Sequence, residues 1–300
     1  MGKKNGEDKR GLKLLFWNIA GLKKKDNLFW DYVKNFDFVG LTETWILERD
    51  WNKLKDVLPK EFQWKLQGAK KEKRKGRAKG GIITGVKKDI KEIEEGAIEM
   101  EGMIERKLTV NKKRWRICTI YSRGMRNTKQ EIQEKIEESE EEFLLLGGDF
   151  NARIGNKSRE EDGENTRKSK DKVENKDGKL LWELIEERGW EVLNGVKEGD
   201  EEGEFTWIGK RGESVIDYVI VNGLAEEEVE TFKIGERVDS DHMPLEVKVR
   251  GISRGSGCLR NEVGKEKKIW VWNEKGIEHY KKKCWKWNLK KKELKRKWKN

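Results

Sequence analysis

FLLLGGDFNA, Phe143 to Ala152, decides the fold. Its first four residues are apolar without a break, the pattern of a strand buried on both faces. Gly147 and Gly148 then allow a tight turn or a close approach of the backbone. Asp149 and Asn151 follow, one residue apart. A carboxylate and an amide at the mouth of a buried strand suit a phosphate and a metal-activated water. The same residues also suit an Asx-turn, so the stretch alone leaves both readings open.

Working outward, similar runs recur on both sides. Leu12–Asn18 and Phe38–Thr42 read as buried strands, with Glu43 just past the second. Between them Phe29, Tyr32, Val33 and Phe36 have helical spacing, with Asp26 as N-cap. A helix is expected over about Trp51–Val57, strands around Phe62–Leu66, Ile82–Val86 and Trp115–Tyr121, and a helix over Thr128–Glu142. Downstream, a helix over Asp177–Arg188 stops at Gly189. Further strands lie near Trp190–Leu193, Phe205–Ile208, Val215–Val221, Val229–Ile234 and Leu245–Val249. Arg153–Lys176 reads as a long surface loop. This alternation indicates an α/β protein whose sheets are covered by helices.

Charge narrows the partners. Of the 300 residues 42% are charged, and the formal balance is +11. Residues 251–300 alone hold 17 Lys/Arg against 5 Asp/Glu, so the excess sits in the tail and the rest is close to neutral. A basic tail favours nucleic acid or another anionic surface. The run AKKEKRKGRAK, residues 69–79, reads as a solvated hairpin loop, with DNA contact or nuclear import as the alternative. The expected organisation is a flexible N-terminus (1–10), one catalytic domain (11–250), a linker (251–264) and a Trp/Lys-rich helical tail (265–300). The tail's apolar stripe reads first as a packing face.

Three scattered cysteines make neither a disulfide framework nor a CxxC site, which fits a reducing compartment. The first residues lack the apolar core of a signal peptide, and no run is long enough to cross a bilayer. The expectation is an intracellular, nuclear protein with no membrane partner. There is no GxSxG elbow and no P-loop, and two histidines without paired cysteines argue against zinc.

The polar residues at strand ends form one chemical set: Asn18, Glu43, Tyr121, Asp149, Asn151, Asp217, Asp241 and His242, with Ser214 nearby. A parallel or mixed sheet brings like ends of its strands to one mouth. Oxygen ligands suit Mg²⁺ or Mn²⁺, so metal-assisted hydrolysis of a phosphate ester remains.

The segments FWN, LTETW, IYSRG, GGDFNA, SVIDYVIV and SDHMPLEV, in this order, resemble the endonuclease/exonuclease/phosphatase superfamily. GRAKGG, TWIGKRGESVIDYVIV and KIWVWNEKGIEHYKKK are similar to the endonuclease domain of non-LTR (LINE-type) retrotransposon ORF2 proteins. The resemblance implies a four-layered α/β sandwich, two packed mixed sheets flanked by helices, as in deoxyribonuclease-like enzymes. It implies a Mg²⁺-dependent (or Mn²⁺-dependent) endonuclease nicking duplex DNA, as in target-primed retrotransposition. A reverse transcriptase domain or RNA would be a partner in a parent element, and the chain would be a truncated element, a gene-model fragment or a host-adopted gene.

Roles follow by resemblance. Glu43, helped by Asn18, matches the metal carboxylate, and Asp241 a second ligand. Asp149 matches the residue that orients or deprotonates water, and Asn151 the phosphate-holding amide. Tyr121 matches the phosphate-site tyrosine, although IYSRG lacks the usual proline turn. His242 matches the histidine that stabilises charge on the phosphate, oriented by Asp217. The alternatives are a phosphatase, an abasic-site endonuclease, or a non-enzymatic nucleic-acid-binding remnant.

Overall fold

The computed structural model describes residues 9–71, 76–93, 99–137, 139, 141–158, 166–236 and 239–253. In chain order these form β1 (Lys9–Asn18), α1 (Asn27–Val33), β2 (Phe38–Thr42), a 3-10 turn (Glu48–Asp50) and α2 (Trp51–Lys55). Next come β3 (Phe62–Gln67), β4 (Ile82–Lys87), β5 (Lys91–Ile93), β6 (Glu99–Met100), β7 (Met103–Val110) and β8 (Lys113–Tyr121). Then follow α3 (Met125–Lys135), β9 (Glu142–Asp149), α4 (Lys176–Arg188), β10 (Glu191–Val192), β11 (Trp207–Gly209) and β12 (Gly212–Ser214). The last are β13 (Asp217–Val221), α5 (Gly223–Glu228), β14 (Val229–Ile234) and β15 (Leu245–Ser253).

Two sheets carry the fold. One has the order β14-β15-β1-β2-β4-β3; the other runs β10-β13-β9-β8-β7-β5, with β6 beside β7. Each contains one parallel pair, β1–β2 or β8–β9, flanked by antiparallel neighbours. The two mixed sheets that the resemblance implies are therefore present.

Side-chain alternation explains the layers. In β1, Leu12, Leu14 and Phe16 face the second sheet and pack with Leu145, Ile117 and Val219. Leu15 and Trp17 point the other way, onto Phe29 and Val33 of α1. In the second sheet, Cys118, Ile120, Leu144 and Leu146 face outward onto Ile132 of α3 and Leu181 and Leu184 of α4. Three apolar clusters thus separate four layers: helices, sheet, sheet, helices.

The two sheets approach closely where glycine replaces a side chain. A Cβ on Gly147 would lie 2.5 Å from the Phe16 ring, and one on Gly40 would lie 2.3 Å from Thr119 Oγ1. Gly148 is tighter still: its φ is +141° and a Cβ would meet the Ile120 carbonyl oxygen at 2.1 Å. That oxygen belongs to a paired strand and has nowhere to move. Gly148→Ala is therefore expected to cost about 3 kcal/mol and to lower the thermal midpoint by roughly 6–12 °C. Thermal unfolding followed by circular dichroism measures this; an unchanged midpoint contradicts it.

Some boundaries differ from the sequence reading. Helix α3 starts at Met125 and ends at Lys135, before the expected acidic stretch finishes. Ile136 leaves helical geometry (φ −93°, ψ 92°) and drops fully into the core. Segment 153–176 is more than a surface loop: Arg153 grips Asp171 with two hydrogen bonds (2.7 and 2.6 Å), and Ile154, Arg167, Ser169 and Asp171 are buried. β15 runs through Ser253, and the rest of the expected linker and the tail at 265–300 lie outside the described residues. Among the described residues no helix is long and apolar enough to cross a membrane.

Candidate active site

Strand registers bring the chemistry together. Tyr121 and Asp149 end the parallel pair β8–β9 as register partners. Asp217 begins antiparallel β13 opposite Asp149. Three polar residues therefore lie side by side at one end of the second sheet. In the first sheet Asn18 ends β1 opposite Thr42 of β2, with Glu43 next in the chain. Leu245 of β15 pairs with Phe16, which places His242 in the loop entering the same end.

The sheets join through these residues. Asn18 Nδ2 donates to Asp149 Oδ2 at 2.8 Å, while Asn18 Oδ1 accepts from the Ala20 amide at 3.1 Å. Asp149 Oδ1 accepts from the Asn151 amide at 2.9 Å. His242 Nδ1 lies 2.9 Å from Asp217 Oδ2 and 3.1 Å from Oδ1. Tyr121 donates its hydroxyl to Glu43 Oε1, and Trp45 donates its indole N–H to Glu43 Oε2. Asn151 is exposed, and its Nδ2 donates to the Ser122 carbonyl at 3.0 Å. Asp241 stands apart: its carboxylate accepts from Trp207 Nε1 at 3.0 Å.

Backbone strain concentrates here. Ala20, Glu43, Trp45, Asn151 and Asp239 all have positive φ between 46° and 57°. Non-glycine residues rarely hold this conformation, which clusters where the surroundings over-determine the geometry.

Electrostatics gives each group a state. Burial pushes the Asp149 carboxyl up, the Asp217 charge adds to it, and His242 and Asn18 oppose it, leaving the group at about 7. Burial alone would lower His242. The Asp217 carboxylate outweighs it, helped by Asp149 and Asp241, and holds the imidazole up at about 9. Burial and then the Glu43 carboxylate raise the Tyr121 hydroxyl, which stays protonated and donates. At neutral pH the site thus holds an imidazolium–carboxylate pair beside a carboxyl near its midpoint.

This yields a direct check. With only two histidines in the chain, ring resonances of the metal-free protein are easily assigned by a His279→Gln control. Asp217→Asn removes the charge that raises His242, so its titration is expected to fall from about 9 to below 7. A titration unchanged by the substitution contradicts the pairing.

Several supporting residues were not legible as site residues. Thr206 Oγ1 accepts from the amides of Ile216 and Asp217, both at 3.0 Å. Buried Asn194 donates to the Asp217 carbonyl (3.1 Å) and accepts from the Val219 amide (3.1 Å). Ser240 Oγ donates to the Asn18 carbonyl at 2.7 Å and accepts from the His242 amide at 3.2 Å. Only Ser240 carried a signal, being the first residue of the SDH motif. Ser214 is buried, and its carbonyl accepts from the Thr206 amide at 3.1 Å.

Asp149, Asp217 and His242 offer ligand atoms within 4.8 Å of one another, a group able to hold a metal ion. The donor chemistry refines this. An imidazole protonated up to about 9 is a poor ligand at neutral pH, whereas the oxygens of Asp149, Asn18 and Glu43 suit a hard cation. The donor set fits Mg²⁺ or Mn²⁺.

Known proteins share this fold. Residues 115–246 match the family described as endonuclease-reverse transcriptase. The structure resembles the endonuclease domain of TRAS1, a telomere-specific non-LTR retrotransposon, with TM-score 0.56 at 16% identity over 80% of this chain and 98% of that one. The fold is that of this endonuclease domain, and residues 115–246 carry the family match. Other solved structures are similar. AP endonuclease LMAP from Leishmania major gives TM-score 0.57 at 15% identity, covering 80% of this chain and 88% of that chain. The catalytic domain of APE2 from Xenopus laevis gives 0.58 at 14% identity, covering 82% and 95%. No curated protein sequence matches significantly. The fold is the one the six motifs implied.

Proposed function

We propose that this protein is a divalent-cation-dependent endonuclease that nicks one strand of duplex DNA, as in target-primed retrotransposition. The observation that carries the reading is the joining of both sheets at Asn18–Asp149, beside the Asp217–His242 pair and the Tyr121–Glu43 contact. Asp149, titrating near 7, is poised to take a proton from the attacking water. Asp217 occupies Nδ1 of His242, so Nε2–H is the donor left for a phosphate oxygen, where an imidazolium stabilises developing charge. Tyr121 and Asn151 stand at the rim to hold the phosphate. Glu43 and Asn18 would hold Mg²⁺ or Mn²⁺, with Asp241 as a second ligand. A bound cation would supply polarisation of the phosphate and stabilisation of the leaving oxygen.

A cleft of about 610 Å³ adjoins Tyr121 and is lined by Lys70, Lys79, Arg123, Arg126 and Lys176, against Glu101, Glu131 and Asp177. This surface suits a phosphodiester backbone. Lys79→Ala and Arg126→Ala are expected to weaken duplex binding uniformly across sequences. Each should flatten the dependence of log affinity on log salt by about 1. Fluorescence anisotropy at several salt concentrations measures this; unchanged slopes remove the cleft from the interface.

Substrate choice tests the function. Supercoiled plasmid, an abasic duplex and a small phosphomonoester are offered in parallel with Mg²⁺. Open-circle plasmid with a 3′-hydroxyl supports the proposal. Cleavage confined to the abasic duplex assigns a repair-type nuclease, and phosphate release alone assigns a phosphatase.

A further inference from the structure

The turn after β2 is held in a costly conformation. Glu43 and Trp45 have φ of +53° and +57°, one residue apart, and an aromatic residue is unusual in this region. Backbone hydrogen bonds pin the turn from two sides. Gly21 N donates to the Glu43 carbonyl (2.8 Å) and Leu22 N to the Thr44 carbonyl (3.1 Å). Thr44 N donates to the Gly81 carbonyl (3.2 Å) and Trp45 N to the Gly80 carbonyl (3.0 Å). The geometry so enforced brings the Trp45 indole N–H onto Glu43 Oε2.

The ring itself is confined. A Cβ on Gly21 would come within 2.3 Å of the indole, so the ring lies flush on that backbone. The Arg77 guanidinium sits 4.0 Å from the ring centroid, at cation–π distance. Arg77 is exposed and belongs to the basic run 69–79, whose Lys70 and Lys79 line the cleft. Among the described residues it makes no hydrogen bond or ion pair.

We propose that Trp45 is the positioning residue of Glu43, and that Arg77 clamps its indole so that the basic run sets the metal affinity of the site. A carboxylate has two oxygens and about four lone-pair sites. The Tyr121 hydroxyl and the Trp45 N–H take one site on each oxygen, fixing the carboxylate plane and leaving one lone pair on each for a cation. Donors of this kind typically govern metal affinity by 10–100-fold. The inference rests on the metal role assigned to Glu43, but its readout does not require DNA cleavage.

The test is calorimetric titration of the full chain with Mn²⁺ alone, beside duplex binding in EDTA. Trp45→Phe keeps a ring for Arg77 and loses the N–H. It should bind Mn²⁺ about tenfold more weakly, with duplex affinity in EDTA within twofold of wild type. Arg77→Lys keeps the charge and loses the planar stack. It should also weaken Mn²⁺ binding severalfold, whereas Arg77→Ala should weaken Mn²⁺ and duplex binding alike. Wild-type Mn²⁺ affinity in Trp45→Phe or Arg77→Lys overturns the inference, as does a wild-type chain that binds no Mn²⁺. Arg77 is exposed, so its variants keep the test sharp if Trp45→Phe is unstable. A wild-type chain that binds Mn²⁺ with this pattern yet nicks no DNA would overturn the proposed substrate and leave the positioning role standing.

Discussion

Asp149→Ala is expected to reduce plasmid nicking by about 10³-fold or more, with little change in KM. General bases contribute about 10²–10⁴-fold, and this residue also anchors Asn18. Asp149→Asn separates chemistry from folding. The carboxyl is buried, and its folded value of about 7 lies above the ordinary 3.8. Stability is therefore full while both states are protonated, and it declines as pH rises from about 4 to about 7. An asparagine carries no such penalty. In metal-free protein the variant should match wild type at acidic pH and exceed it at pH 8, by denaturant unfolding, while remaining inactive. A less stable variant at pH 8 would show that Asn18, the Asn151 amide and His242 hold Asp149 charged against its burial.

The second large effect belongs to His242. His242→Gln should lower kcat by 10²–10³-fold, since it removes a charged donor at the phosphate. The imidazolium raises the Asp217–His242 pair above the value of two neutral groups. Its folded pKa exceeds the ordinary 6.5, so the stability it contributes is present below about 6.5 and is lost as pH rises through about 9. In rate measurements wild-type kcat/KM should rise through about 7 as Asp149 ionises and fall through about 9 as His242 loses its proton. A bound cation near Asp149 would shift the acid limb lower. In His242→Gln the fall near 9 should vanish; its persistence would assign that limb elsewhere.

Much of this was legible because apolar runs mark strands buried on both faces. Phe38–Thr42 and Val229–Ile234 have the expected bounds, and Asp26 and Gly189 cap their helices as read. What escaped was burial achieved by pairing. Glu105 and Arg106 lie in β7 on opposite faces and look like solvated positions, yet both are buried. Arg106 is satisfied by Glu92, and Glu105 by Arg116 at 2.7 Å. Such partners are set by strand register, which local pattern does not state. The same holds for Asp171, whose partner Arg153 makes an apparent loop part of the body.

The candidate site divides in the same way. Polar residues at strand ends stood out against their apolar strands, so Asn18, Tyr121, Asp149, Asp217 and His242 were all named, and registers bring them to one mouth. Their supports were not, because Thr206 and Asn194 act through hydrogen bonds to backbone and resemble turn residues in sequence. Asp241 joins the metal ligands by its place in SDH, and in the structure its Oδ2 accepts from Trp207 Nε1, with Oδ1 the other oxygen of the group.

The most direct measurement is conversion of supercoiled plasmid to open circle by the purified chain, with Mg²⁺ and with EDTA, alongside the Asp149→Ala/His242→Gln double variant. The account predicts nicking by wild type only with Mg²⁺, and none above background by the double variant. Equal nicking by wild type and the double variant, or no nicking by a folded wild type, would contradict it.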